Sequence, residues 1–337
     1  MLGAHKVIVS NKYLKYEFVI KRNITVIKGN SATGKTTLIE MIREYNEEED
    51  SGVSVQCDKK CVVVYGRDWE KRIQDISNAI VFIDEAGRFT KSTDFAKVIQ
   101  NTNNYYVIVS REKLGNLPFS IDEIYGIRER GKYPGIKSEY TLNEFYHIYY
   151  GQQPQNLFEP EVIVTEDSNS GYEFFSKVCE EKLECLSAKG KSNVLSILKK
   201  DEYKSKRRLA IVDGAAFGSE IEIIMKYIIN VDNDIKIYAP ESFEYLLLLS
   251  EIFDSKKLQH KLTESYDFID SEKYFSWEQY YTALIMEETR GTEKRYSKSN
   301  LNPYYLSERN IKYVLEKIPD NIIFDKERSH HVPHTFP

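Results

Sequence analysis

One short segment near the amino terminus constrains the fold of this chain more than any other feature. Residues 24–39 read as an apolar strand, a loop with glycines at positions 29 and 34, and the apolar start of a helix. The loop has the spacing Gly-x-x-x-x-Gly-Lys-Thr, which is typical of a phosphate-binding loop between a strand and a helix. Glycines let successive backbone N–H groups turn toward a polyphosphate, and the amino end of the helix adds positive potential. A chance glycine-rich loop is the alternative, but it would not explain why strand, loop and helix occur in this order.

The motif assigns a role to individual residues of the loop. We expect Lys35 to reach the β- and γ-phosphates of a nucleoside triphosphate as a catalytic residue, and the Thr36 hydroxyl to bind Mg²⁺. The predicted ATP-binding residues are Gly29, Asn30, Ser31, Ala32, Thr33, Gly34, Lys35, Thr36 and Thr37.

A second apolar run supports the same chemistry. Residues 79–83 form an unbroken apolar segment of strand length, as expected of a buried parallel strand, and Asp84 and Glu85 follow it directly. Asp84 is the candidate ligand of the nucleotide-bound Mg²⁺, and Glu85 is the candidate general base for the attacking water. Acidic residues follow many strands, so the pair gains weight from its position 49 residues after Lys35.

A third apolar run, residues 105–109, ends in Ser110 and Arg111. Ser110 is either a polar group that senses the γ-phosphate or an ordinary strand end, and the sequence does not choose between them. Arg88 and Arg111 are candidates for stabilising developing charge, with surface salt bridges as the alternative.

Composition limits the class of protein. A chain of 337 residues is long enough for two domains and a helical appendage, and a net charge of −5 argues against a uniformly basic nucleic-acid coat. The basic residues between positions 199 and 208 fit a solvated helix end better than a DNA-binding surface. No apolar run approaches the roughly 18 residues of a membrane span. The four cysteines match no zinc spacing, so we expect reduced thiols in a cytoplasmic protein without a signal peptide or a membrane partner.

The order of apolar segments predicts an α/β fold with an open parallel sheet. Two strands within residues 6–20 precede the phosphate loop, and turn-rich segments at 131–134 and 149–160 suggest a boundary. We predict domains at 1–158, 159–258 and 259–337, the last a helical region. In the second domain, the strands near 161–165 and 209–212 end in Glu166 and Asp213. Since the carboxyl ends of parallel strands share one edge, we expect these two acids at one ligand site.

The amino-terminal half resembles P-loop ATPases of the ABC/AAA type. The residues that carry this resemblance are the leading strand pair, the loop from Gly29 to Thr36, and the segment Phe82-Ile-Asp-Glu85. The interval between the two motifs is too short for the helical insertion with a Leu-Ser-Gly-Gly-Gln-like signature that ABC ATPases carry. The resemblance implies a P-loop sheet that binds and hydrolyses ATP with Mg²⁺.

Residues 160–255 resemble a Toprim domain, in particular that of overcoming-lysogenization-defect (OLD) nucleases. The resemblance rests on Val162-Ile-Val-Thr-Glu166, the turn Gly190-Lys-Ser-Asn193, and Leu209-Ala-Ile-Val-Asp213-Gly214. It implies that Glu166 and Asp213 hold Mg²⁺, or alternatively Mn²⁺, for phosphodiester cleavage. Ala215 and Ser170 stand where the family carries further acids, which removes anionic ligands from the expected set.

Three functions are therefore open. The leading hypothesis is an ATPase fused to a Toprim-like domain that acts on or senses nucleic acid in defence against phage or mobile DNA. The alternative is a nucleotide-switched interaction module whose inactive Toprim-like domain recruits a separate effector protein, with a homo-oligomer expected in either case. A small-molecule or nucleotide kinase ranks third, because it leaves Glu85 and the second α/β segment unexplained.

Overall fold

The computed structural model describes residues 1–29, 34–84, 87–130, 141–149, 157–180, 182–231, 234–253 and 255–324. The chain divides into two compact units. Unit 1 comprises Met1–Tyr150, Ala215–Ser219 and Thr263–Gln279, and unit 2 comprises Gly151–Gly214, Glu220–Leu262 and Tyr280–Pro337. Both units thus take in part of the carboxyl-terminal region.

The described residues contain thirteen strands and ten α-helices. The strands are His5–Ser10 (β1), Leu14–Ile20 (β2), Ile24–Ile27 (β3), Ser54–Gln56 (β4), Lys60–Val63 (β5), Ala79–Ile83 (β6), Tyr105–Val109 (β7), Ile124–Glu129 (β8), Thr141–His147 (β9), Val162–Thr165 (β10), Glu184–Ser187 (β11), Arg208–Ile211 (β12) and Ile235–Tyr238 (β13). The helices are Lys35–Glu47 (α1), Trp69–Gln74 (α2), Thr93–Gln100 (α3), Ser170–Cys179 (α4), Val194–Leu198 (α5), Gly218–Val231 (α6), Phe243–Leu249 (α7), Lys256–Thr263 (α8), Trp277–Glu288 (α9) and Glu308–Leu315 (α10).

Unit 1 is built on a mixed sheet of mostly parallel strands. The strand order within the described residues is β4-β1-β2-β9-β8-β3-β7-β6-β5. The neighbours from β8 through β3, β7 and β6 to β5 are all parallel, whereas β1 pairs antiparallel with β2 and β4, and β8 with β9. Every residue of β3, β6 and β7 is buried, which explains why these strands are continuous apolar runs in the sequence.

Helices cover both faces of this sheet. The apolar side of α1, including Leu38 and Ile42, packs in one core cluster with Phe82 and Val107. On the other face, Phe95 of α3 meets Tyr106 edge-on, with ring centroids 6.3 Å apart. Because Tyr106 and Val107 are successive residues of β7, they point to opposite faces of the sheet. Helix α1 therefore lies on one face and α3 on the other.

Unit 2 contains a smaller sheet of four strands in the order β11-β10-β12-β13. All three pairings are parallel, and β10, which precedes Glu166, is the direct neighbour of β12. The short, fully buried strands β10 and β12 form its centre. The α/β class expected from the sequence is thus confirmed.

Several element predictions need correction. The apolar pattern of residues 241–252 predicts a helix over that whole range, but α7 runs only from Phe243 to Leu249. The spacing of Phe174, Phe175 and Leu183 predicts that all three lie on one helix, but α4 ends at Cys179. The large sheet is not the purely parallel sheet expected, because β1 pairs antiparallel with β2 and β4, and β8 with β9. The strands β8 and β9 were not recognised from the sequence, and neither were α3 and α8. The turn predicted at 131–134 lies outside the described residues.

Candidate nucleotide site and acidic strand edge

The loop between β3 and α1 is held by two glycines in left-handed backbone conformations. Gly29 has φ +130° and Gly34 has φ +81°, a region that favours glycine over other residues. Helix α1 begins at Lys35, immediately after Gly34, and no described side chain caps it. Its first turn carries no acidic residue. The positive end of the helix dipole therefore faces the loop, and the first turn of α1 supplies no carboxylate to offset it.

Lys35 turns back across the loop. Its ammonium donates a hydrogen bond to the carbonyl oxygen of Gly29 at 2.9 Å, and the residue is 4% exposed. The charge is thus held beside the backbone where the loop begins. Thr36 and Thr37 occupy the next two positions in the first turn of α1.

The order in which the chain adds strands to the sheet reverses at β3 and β7. After β3 the chain passes through α1 and the edge strand β4 to β5 at one end of the parallel group, whereas after β7 it crosses to β8 on the other side of β3. In α/β sheets, the crevice outside the carboxyl ends of two such neighbouring strands is the usual ligand site. The residues that follow β3 and β7, Lys28–Gly29 and Ser110, border this crevice, and a backbone bond from Ser110 to Ile27 measures 3.1 Å.

Tyr16 on β2 is hydrogen-bonded to Gly34 at the start of α1. No pattern in the sequence predicted this contact. The Tyr16 hydroxyl donates to the carbonyl oxygen of Gly34 at 2.9 Å and is hydrogen-bonded to the Thr37 side chain. Tyr16 is 1% exposed, and burial raises the pKa of its hydroxyl to about 12. A Cβ atom on Gly34 would lie 2.8 Å from the Tyr16 oxygen. Glycine at position 34 is therefore favoured both by φ and by this close approach.

Of the other residues predicted to act in unit 1, the structure describes Asp84 and Ser110 but not those within 30–33 or Glu85. Asp84 is half-buried and follows the last residue of β6, two strands away from β3 in the sheet. The Ser110 hydroxyl bonds to the backbone of Glu112, accepting from its N–H at 3.1 Å, which favours an ordinary strand end over a γ-phosphate sensor. The predicted residues outside the described part of the chain are Asn30, Ser31, Ala32, Thr33 and Glu85.

In unit 2, the acids after β10 and β12 come together at the carboxyl edge of the sheet. The backbone N–H of Asp213 donates to Glu166 Oε2 at 3.0 Å, and Asp213 Oδ1 accepts from the N–H of Phe243 at 3.1 Å. The sequence analysis predicted that Glu166 and Asp213 would share this edge. It did not foresee that both carboxylates accept hydrogen bonds from backbone amides.

Asp167 has a structural role at the same edge. Its carboxylate accepts from the backbone N–H groups of Asn169, Gly171 and Tyr172 at the start of α4, the shortest at 3.0 Å. Burial raises the pKa of Asp167, and the amide donors oppose this shift. The carboxylate thus satisfies helix amides that would otherwise lack partners.

A buried polar network lies in the same unit. The Tyr296 hydroxyl donates to Glu244 at 2.8 Å and is 2.6 Å from the Ser170 hydroxyl, while Lys298 is 3.7 Å from Glu244. Ser170 and Glu244 are each 1% exposed. Ser170, one of the positions where the resemblance would place an acid, is therefore held in an internal hydrogen-bond network.

The edge of unit 2 offers little room and few ligands for a metal ion. A cavity of about 20 Å³ is lined by residues including Glu166, Asp167 and Asp213, which is space for about one water molecule. Within the described part of the chain, no group of three or more His, Cys, Asp or Glu side chains is arranged to hold a metal. The donor set at this edge does not fit a two-metal centre.

Known proteins give no further guidance. The chain matches no protein-family model, no curated protein and no solved structure. Among the described residues, no helix combines the length and the apolar character needed to cross a membrane.

Proposed function

We propose that this chain is an ATPase that binds ATP and Mg²⁺ at the loop between β3 and α1. The observation that carries the proposal is the combination of left-handed Gly29 and Gly34 with Lys35, whose ammonium lies 2.9 Å from the Gly29 carbonyl, at the switch point of a parallel sheet. Backbone amides and the helix end supply positive potential there, and Lys35 adds a fixed charge.

The arrangement of the strands supports hydrolysis as well as binding. Asp84 follows β6, and β7 separates β6 from β3, so the carboxyl ends of β3 and β6 are about 10 Å apart at a strand spacing of about 4.8 Å. This spacing places Asp84 and the start of the loop at the same carboxyl edge of the sheet. In this proposal, Thr36 and Asp84 hold the Mg²⁺ and Glu85 activates the water. The Mg²⁺ ion neutralises charge on the phosphates.

Release of inorganic phosphate from ATP tests the enzymatic part of the proposal. Lys35→Ala should abolish release, because the β- and γ-phosphates lose their fixed countercharge. Lys97→Ala is the matched control, since this α3 side chain is 76% exposed and belongs to the other face of the sheet. Equal phosphate release by the Lys35→Ala and wild-type proteins would refute the assignment. Transfer of the phosphate to an acceptor instead of water would favour a kinase.

For unit 2, we propose a Toprim-like domain through which ATP binding is coupled to the handling of nucleic acid in the cytoplasm, in a homo-oligomer that defends against phage or mobile DNA. The juxtaposition of Glu166 and Asp213 on neighbouring parallel strands supports this reading. Cleavage of plasmid or linear DNA with ATP and Mg²⁺ or Mn²⁺, lost in Glu166→Ala, would show that the domain acts on nucleic acid rather than only sensing it. Intact DNA with both proteins would remove the nuclease.

A second function is favoured by a specific observation. Glu166, Asp167 and Asp213 all accept backbone N–H groups, which fits a domain whose acids stabilise the fold and whose surface recruits a separate effector protein. Calorimetric titration with Mn²⁺ separates the two functions. Binding that is lost in both Glu166→Ala and Asp213→Ala would support the nuclease, and absence of binding in the wild type would support the interaction module.

A further inference from the structure

The carbonyl oxygen of Gly34 accepts two hydrogen bonds at the start of α1. The backbone N–H of Leu38 donates to it at 3.0 Å, as in a regular helical turn, and the Tyr16 hydroxyl donates to it at 2.9 Å. The other end of the same peptide unit is the N–H of Lys35, the first residue of α1. Tyr16 therefore acts on the peptide whose amide lies at the amino end of this helix.

The strand directions bring Tyr16 to the loop. β2 runs parallel to β9, β9 antiparallel to β8, and β8 parallel to β3. β2 is therefore antiparallel to β3, and its first residues lie at the edge of the sheet where β3 ends. Tyr16, the third residue of β2, is paired with Val9 on one side and Asn143 on the other. Two neighbouring strands thus fix its backbone.

The Tyr16 side chain is held in the core. It is 1% exposed and belongs to the same core cluster as Leu38 and Met41 of α1 and Phe82 of β6. Burial raises the pKa of its hydroxyl to about 12, so the hydroxyl keeps its proton and remains a donor at neutral pH. A ring locked by packing in this way also fixes the position of the carbonyl to which it donates.

This contact fixes the start of α1 in a different way from ordinary helix capping. A Ser, Thr, Asp or Asn side chain at the N-cap accepts from backbone N–H groups of the first helical turn. Those amides are the ones that bind a phosphate at a helix start. Gly34, the N-cap residue of α1, makes no such side-chain bond. The Tyr16 hydroxyl fixes the same point through the carbonyl oxygen and occupies none of these amides.

Donation to the Gly34 carbonyl also polarises the peptide between Gly34 and Lys35. Hydrogen bonds in a chain strengthen one another, because electron density drawn toward the carbonyl oxygen makes the N–H of the same peptide a stronger donor. An anion at the amino end of α1 would meet this N–H together with the positive end of the helix dipole.

We propose that Tyr16 is a positioning residue for the phosphates of ATP, because its hydroxyl holds the Gly34–Lys35 peptide with the first amides of α1 toward the phosphate chain. This role rests on the proposed binding of ATP at the loop. Tyr16 acts through the peptide rather than on the nucleotide, so Lys35, Thr36 and Asp84 keep their proposed roles without it. Loss of the hydroxyl should weaken binding equally before and during hydrolysis, which raises KM and leaves kcat nearly unchanged.

The test is phosphate release from ATP by the full-length wild type, Tyr16→Phe and Tyr106→Phe, together with calorimetric titration of each protein with ATP and Mg²⁺. Tyr16→Phe keeps the buried ring and removes only the hydroxyl. It should raise both KM and Kd for ATP by roughly fivefold, the effect of one lost hydrogen bond, with kcat close to that of the wild type.

Tyr106→Phe is the matched control. Tyr106 is also 1% exposed, and its hydroxyl oxygen is 2.7 Å from that of Thr102. Its ring meets Phe95 of α3, on the face of the sheet opposite α1. This variant therefore also loses a buried hydroxyl that is hydrogen-bonded, but it should leave KM and Kd for ATP unchanged.

A measurement on the wild type needs no variant, so it stands even if Tyr16→Phe impairs folding. ATP and Mg²⁺ should shift the amide resonances of Lys35 and Thr36 in the nuclear magnetic resonance spectrum of isotope-labelled protein. Resonances that stay in place although ATP binds would overturn the proposal.

Three other results would overturn the role of Tyr16 and leave the ATP site in place. They are equal ATP affinity in the wild type and Tyr16→Phe, an equal loss of affinity in Tyr16→Phe and Tyr106→Phe, and a fall in kcat at unchanged KM. A wild type that binds no ATP would instead overturn the proposed function, and the role of Tyr16 with it.

Discussion

Alanine at position 34 would destabilise the start of α1 in two ways that can be separated. Gly34 has φ +81°, and its added Cβ would lie 2.8 Å from the hydroxyl oxygen of Tyr16. The left-handed backbone costs a non-glycine residue roughly 1–2 kcal/mol. Displacing the Tyr16 hydroxyl removes its hydrogen bond to the Gly34 carbonyl, worth about 1 kcal/mol. Gly34→Ala should therefore lower the free energy of unfolding of unit 1 by about 2–3 kcal/mol.

Tyr16→Phe isolates the second contribution. Without the hydroxyl, the nearest remaining ring atoms lie 3.6 Å from the added Cβ, which is an ordinary van der Waals distance. Gly34→Ala should then cost only the backbone strain, roughly 1–2 kcal/mol. The two substitutions should thus be less than additive, with a coupling energy of about 1 kcal/mol.

Urea unfolding of the four proteins, followed by tryptophan fluorescence, measures this coupling. Both tryptophans of the chain, Trp69 and Trp277, belong to unit 1, so the signal reports that unit. Independent substitutions add within about 0.5 kcal/mol. Additivity within that margin would refute the contact between Tyr16 and position 34 as the reason for glycine there.

Three further predictions concern a buried acid, a helix start and the general base. Burial raises the pKa of Glu123 to about 7, although the positive charge of Arg22 opposes this shift. The protonated Glu123 side chain therefore stabilises the fold fully below pH 4.5, and this stabilisation is lost as the pH rises through 7. The unfolding free energy of the wild type should fall by roughly 3 kcal/mol over this range relative to Glu123→Gln, and parallel pH curves from tryptophan fluorescence would contradict this. Asp167→Ala should cost about 1–2 kcal/mol and speed hydrogen exchange at the Tyr172 amide, whereas unchanged exchange would remove the capping role. Glu85→Gln should bind ATP but release no phosphate, and turnover equal to that of the wild type would remove Glu85 from the mechanism.

The sequence predicted the central strands well because their signal is local. Residues 79–83 and 105–109 form strands with the bounds expected from their apolar runs. In β6 and β7 every side chain is buried, so composition alone identifies them. The juxtaposition of Glu166 and Asp213 was also predictable, since it follows from parallel strand direction.

The elements that were missed depend on distant partners or on weaker local signals. β8 and β9 contain glycine and charged residues, and they are strands because they pair with each other and with β3 and β2. The start of α3 did carry a signal, since the Ser92 side chain caps it by accepting from the N–H of Phe95. The hydrogen bond from Tyr16 to Gly34 connects β2 with the start of α1, and no local sequence pattern predicts such a contact.

The central claim is that the loop from Gly29 to Thr37 binds the phosphates of ATP. Calorimetric titration of the full chain with ATP and Mg²⁺, in the wild type, Lys35→Ala and Lys97→Ala, tests it most directly. The account predicts equal affinity in the wild type and Lys97→Ala, and a loss of at least about tenfold, or 1.4 kcal/mol, in Lys35→Ala. A wild type that binds no ATP, or a Lys35→Ala protein that binds it equally well, would contradict the claim.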